Sequence, residues 1–230
     1  MGIEERYRQA ARQVAQAARE AGRDPREVRL VAVSKTVGLA GVGAALVAGA
    51  QDFGENRPDS IVEKQGEFPQ ARWHFIGNIQ SRRIPDIVRA STLVHSLCHE
   101  RHALKMDEAA RRLGKVQDVL LEVNVSGEQS KDGVAPQDAQ ALLDALEPCR
   151  NLRVRGFMTM APQGDRETAR ACFDALARLH ADVRRGLPAE RAAVFDELSM
   201  GMSEDWREAV AAGATIVRIG RAIFDDAFEA

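Results

Sequence analysis

Cysteine is scarce. The 230 residues contain three, Cys98, Cys149 and Cys172, an odd and widely spaced set that excludes a disulfide framework and points to a reducing compartment, the cytoplasm by default. Aromatic residues are few, with one tyrosine and two tryptophans. No apolar stretch approaches the roughly 20 residues of a membrane span, and the N-terminus has no apolar signal core, so neither export nor insertion is expected. Charge of one sign is also missing: 32 Lys plus Arg stand against 34 Asp plus Glu, with no block of like charge to grip a polyanion. Linkers rich in Pro, Gly or Ser, low-complexity tracts and short repeats are absent, so residues 1–230 read as a single domain.

What is present is a rhythm. An amphipathic helix is predicted from Ile3 to Ala21, and then short apolar runs alternate with helical patterns. The runs are Val28–Ser34, Gln51–Phe53, Trp73–Ile76, Thr92–Ser96, Val119–Val125, Leu152–Phe157, Glu197–Ser199 and Ile216–Ile219. Helices are predicted at Ala103–Leu113, Pro136–Leu146 and Arg166–Arg185, each stopped by Gly or Pro. About eight strand–helix units in a chain of this length fit a closed (β/α)8 TIM barrel better than an open doubly wound sheet, with the first helix as an extra N-terminal element.

Such barrels place chemistry at the C-terminal ends of their strands. Lys35 follows the first strand, and period-two alternation sets it on the face of Val31 and Val33, where an apolar mouth would lower its pKa and favour imine formation with an aldehyde. The plain alternative is a solvated lysine at a strand end. After strands seven and eight, Ser199–Ser203 and Gly220 offer backbone amides and hydroxyls to a phosphate, although Ser203 could equally be an N-cap for a helix opening at Glu204. Arg218 shares the inward parity. It could face a pyridine nitrogen and keep it unprotonated, or pair in the mouth with Glu55 or Glu197. An imine-forming lysine with a phosphate cradle suggests pyridoxal 5'-phosphate (PLP). A phosphosugar enzyme using Lys35 as Schiff-base former is a weaker alternative.

The segments Val31–Thr36, Phe53–Asn56, Trp73–Gly77 with Gln80 and Ser81, Glu122–Ser126 followed by Ser130 and Lys131, Arg155–Met158, Leu198–Ser203 and Val217–Gly220 together resemble the pyridoxal phosphate homeostasis proteins. Asn78–Ile79 and Leu97–His99 depart from that pattern. The resemblance implies a fold-type III barrel like the N-terminal domain of alanine racemase, with PLP held as an internal aldimine on Lys35. It places Asn56 near the ring, Ser199, Ser203 and Gly220 around the phosphate, and Arg218 at the ring nitrogen. It also implies a role in vitamin B6 and amino-acid homeostasis without strong turnover, with PLP-dependent apoenzymes as candidate partners.

The alternative is a PLP-dependent amino-acid racemase, which needs a second proton carrier opposite the lysine. The only tyrosine, Tyr7, sits in the first helix. His74, between Trp73 and Phe75, reads as a core histidine satisfied by a hydrogen bond. His95, Cys98, His99 and His102 would share a face if helical and could offer zinc ligands, but no second ligand pair accompanies them. No metal, nucleic-acid or membrane partner is expected, and the chain is read as a monomer.

Overall fold

A computed structural model describes residues 1–128, 131–162 and 164–228, so Ser130 of the sequence motif lies outside the described residues. Eight parallel strands close into a barrel in sequential order: β1 (Arg29–Val33), β2 (Asp52–Glu55), β3 (Arg72–Phe75), β4 (Leu93–Leu97), β5 (Gln117–Glu122), β6 (Leu152–Met158), β7 (Glu197–Ser199) and β8 (Ile216–Ile219). Each predicted run therefore holds a strand, the ends differing by a few residues. The closing pair, β1 with β8, sets Val31 beside Arg218 and Ala32 beside Ile219.

Alternation along each strand sorts the side chains into two layers. Val31, Leu93, Leu120, Met158 and Ile216 form a small apolar cluster of their own inside the barrel. Their neighbours, among them Ala32, Phe53, Trp73, Val94, Leu121, Phe157, Val217 and Ile219, face outward into the main core shared with the helices. That outer layer includes α1 (Ile3–Glu20), α2 (Leu39–Val47), α3 (Pro58–Glu67), α4 (Ile84–Ala90), α5 (Glu100–Arg112), α6 (Ala139–Ala145), α7 (Arg166–Gly186), α8 (Ala189–Val194), α9 (Trp206–Ala211) and α10 (Arg221–Phe224). The extra helix α1 buries Tyr7, Ala10, Val14 and Ala18, one stripe at helical spacing. Among the described residues no helix is long and apolar enough to cross a membrane.

A candidate ligand site at the C-terminal mouth of the barrel

β1 stops at Val33. Ser34 is buried, and the chain turns through Lys35 and Thr36, both exposed. The strand parity used to aim Lys35 inward therefore ends two residues too early, and the amine stands at the rim in contact with solvent rather than in a dry recess. What lies beneath it is rigid. Ser34 Oγ donates to Glu55 Oε1 at 2.8 Å, Lys64 Nζ reaches the same oxygen at 2.5 Å, and Lys64 also donates to the Ser34 carbonyl at 2.9 Å. All three residues are buried. This internal ion pair between β2 and α3 clamps the carbonyl of the peptide that enters Lys35. Glu55 is thus committed to Lys64 and is not the partner of Arg218.

Nor is Glu197, whose carboxylate takes Arg29 at 3.2 Å and Thr215 Oγ1 at 2.6 Å. Arg218 is buried and has no carboxylate within ion-pair distance among the described residues. Nη1 donates to Ser199 Oγ at 2.5 Å and Nη2 to the Thr159 carbonyl at 3.0 Å. Burial brings its pKa down to about 10, opposed by the more distant charges of Asp205 and Glu122. Its Nε–H and the second N–H of each terminal nitrogen have no hydrogen-bond partner among the described residues, so donors remain for an acceptor.

Ser199 is fully buried, and its hydroxyl faces His95 Nδ1 at 2.8 Å rather than the mouth. Ser203 is not an N-cap. The following helix starts only at Trp206, and Asp205 Oδ1 accepts from Met202 N–H in the intervening turn. Ser203 Oγ instead accepts from the backbone N–H groups of Gly220 and Ala222, each at 3.3 Å, tying the β7 loop to the start of α10. Its own hydroxyl proton stays available. Gly220 is pressed against β1: a Cβ there would lie 3.2 Å from both Val33 Cβ and the Val33 carbonyl oxygen. This contact brings the backbone two residues beyond Arg218 to the backbone two residues before Lys35.

Asn56, half-buried, follows β2 with its side-chain amide unbonded among the described residues. Its main chain is packed so tightly that a Cβ on Gly77 would fall 2.1 Å from the Asn56 carbonyl oxygen, so the β2 and β3 loops meet only because position 77 is glycine. Ser96 Oγ donates to the Gly77 carbonyl at 2.6 Å and fixes that loop in turn.

Sequence reasoning missed three residues. Lys64 lies on a helix and carried no signal. His95 was read only as a zinc candidate, but β4 ends at Leu97 and α5 opens at Glu100, so the four candidate ligands share no helical face. Glu122 has the inward parity of Leu120 on β5, across the barrel from β1, and no side-chain hydrogen bond among the described residues. Burial raises its pKa to about 7, although Arg218 pulls the other way. Tyr7 lies at the other end, where burial and the charge of Asp52, at the start of β2, raise its pKa.

The model of the alanine racemase N-terminal domain family matches residues 7–227. A pyridoxal phosphate homeostasis protein of Pseudomonas aeruginosa is 42% identical over 225 residues, covering 96% of this chain and 94% of that protein. Among solved structures, PipY of Synechococcus elongatus with PLP bound matches with a TM-score of 0.81 at 33% identity, covering 96% of this chain and 99% of that one. Alanine racemase of Streptomyces lavendulae shares the fold, with a TM-score of 0.74 at 18% identity, but this chain spans only 57% of it. A barrel matched along almost its whole length by such relatives belongs to the alanine racemase N-terminal domain family and, within it, to the pyridoxal phosphate homeostasis proteins.

Proposed function

We propose that this chain binds pyridoxal 5'-phosphate at the barrel mouth, holds it covalently through Lys35, and serves vitamin B6 and amino-acid homeostasis by keeping and releasing it, without strong turnover. The observation that supports the reading is the packing of Gly220 on Val33, which brings the chain just beyond Arg218 beside the end of the strand that leads to Lys35. Pyridoxal phosphate supplies an aldehyde that condenses with a primary amine and a pyridine ring that accepts electron density. Lys35 offers the amine from a clamped turn. Its exposure means that desolvation comes from whatever covers it, which suits a site that must load and unload. Arg218 Nε can donate to a ring nitrogen and, having no acceptor, leaves that nitrogen unprotonated. Ser203 Oγ–H, oriented by the Gly220 and Ala222 amides that donate to its oxygen, would serve the phosphate, and the Asn56 amide would serve the ring edge.

The test is spectroscopic. Purified protein given PLP should develop a visible band, borohydride should fix the adduct on Lys35, and Lys35→Ala should abolish both. A colourless protein with no reducible adduct refutes the proposal. A slow racemase-type exchange is the second reading, favoured by one observation: Glu122 is a carboxyl with a pKa of about 7 pointing into the mouth from the wall across from β1. Single amino-acid enantiomers incubated in D2O with the loaded protein decide it. Slow α-deuteration lost in Glu122→Gln supports exchange, and deuteration absent from both proteins supports a carrier.

A further inference from the structure

Below the mouth, a line of polar side chains crosses the lumen. Arg218 Nη1 contacts Ser199 Oγ at 2.5 Å, Ser199 Oγ contacts His95 Nδ1 at 2.8 Å, His95 Nε2 contacts His74 Nδ1 at 2.9 Å, and His74 Nε2 contacts Asp52 Oδ1 at 3.0 Å. All five residues are buried, and they come from β8, β7, β4, β3 and β2. Asp52 is gripped by Arg72 through both carboxylate oxygens, at 2.8 and 2.6 Å. Burial would push its pKa up, but His74 and Arg72 outweigh that and hold it at about 2, so it is a carboxylate at neutral pH.

The two ends fix the sense of the line. A guanidinium only donates and a carboxylate only accepts. With neutral imidazoles, one assignment satisfies all four bonds: Arg218 donates to Ser199, Ser199 to His95 Nδ1, His95 Nε2–H to His74 Nδ1, and His74 Nε2–H to Asp52. Neutrality agrees with burial, which lowers the pKa of both histidines, that of His95 well below its ordinary value. The single proton of Ser199 is therefore spent on His95, and the hydroxyl has nothing to give an anion.

We infer that His95, backed by His74 and Asp52, is a positioning residue for Arg218, and that Ser199 is a link in this line rather than a phosphate ligand. The inference rests on the reading of the mouth as a PLP site. The physical need is plain: Arg218 lacks an ion pair, so neutral acceptors alone must fix a buried guanidinium and aim its Nε at the ring nitrogen.

The experiment compares the affinities of wild type and Ser199→Ala for pyridoxal 5'-phosphate and for pyridoxal, which lacks the phosphate. A link that aims Arg218 acts at the ring, so both ligands should weaken by the same factor, about tenfold for one hydrogen bond to a charged group. The visible band of the loaded variant should also shift, as should that of His95→Gln. Loss confined to the phosphorylated ligand would make Ser199 a phosphate contact and overturn the inference, as would no loss at all. Ring-nitrogen NMR of the cofactor-free protein gives an independent reading. Protons on Nε2 of both His74 and His95, with no titration near the ordinary value of about 6.5, are expected. A proton on His95 Nδ1, or ordinary titration, overturns the line whether or not PLP binds, so failure here is separable from failure of the cofactor reading.

Discussion

Replacing Lys64 with methionine isolates the clamp under Lys35. The side chains of Lys64 and Glu55 are 5% and 1% exposed, so water cannot take over when one charge is removed. Lys64→Met keeps the bulk of the stem but deletes two donated bonds, one to Glu55 Oε1 and one to the Ser34 carbonyl. Glu55 then retains only Ser34 Oγ–H and the Asn56 N–H at 3.3 Å as donors. Breaking a buried pair by removing one partner costs about 3–5 kcal/mol because the other charge stays desolvated. At about 2–4 °C per kcal/mol for a chain of this size, thermal unfolding should move down by about 6–20 °C. The double variant Lys64→Met/Glu55→Gln should regain much of this, since no charge is left stranded. PLP affinity should stay low in both variants, because the Ser34 carbonyl that anchors the Lys35 turn is freed in each. Calorimetry and PLP titration on the three proteins read the result. A single variant within about 2 °C of wild type, or a double variant less stable than the single one, refutes the argument that this pair pins the turn.

Glu122 gives a pH signature. Its folded pKa of about 7 lies above the ordinary 4.5, so the folded state keeps a proton that the unfolded chain has lost, and stability falls as pH rises through that window and remains lower above it. At about 1.4 kcal/mol per pH unit the ceiling is about 3 kcal/mol. Glu122→Gln, which mimics the protonated acid, should remove most of that fall in denaturant titrations on either side of the window, and an unchanged pH slope would count against it. Gly77→Ala puts a methyl group into the Asn56 backbone, which has no rotamer by which to yield. Overpacking normally costs about 1–3 kcal/mol, and the top of that range or more is expected, with PLP binding weakened through Asn56. A variant as stable as wild type would show that the two loops are free to separate.

Much of the barrel was legible because its strands are short apolar runs whose register is written into the chain. The inward parity of Val31 and Arg218 came from period two alone, and the strand carries it as far as it continues. It says nothing further about Lys35, which stands exposed in the turn after β1 ends at Val33, because a turn has no parity. It also could not say whom Arg218 meets. Glu55 and Glu197 were reasonable partners, but each is held by a cation that approaches from another element: Lys64 from α3 and Arg29 from β1. Ser203 looked like a cap because a helix pattern follows it, whereas Asp205 takes the turn and frees Ser203 to reach across to Gly220.

The chain by itself settled what depends on local order: the alternation of strands and helices, the glycines that let backbones touch, and the family signatures around Lys35, Ser199 and Gly220. Only closure of the barrel decided which polar groups meet. A hydrogen bond needs about 3 Å between atoms that lie anywhere in the sequence, and Ser199 met His95 across 104 positions. The direction of the line from Arg218 to Asp52 follows from its ends, and those ends were brought together by the lumen.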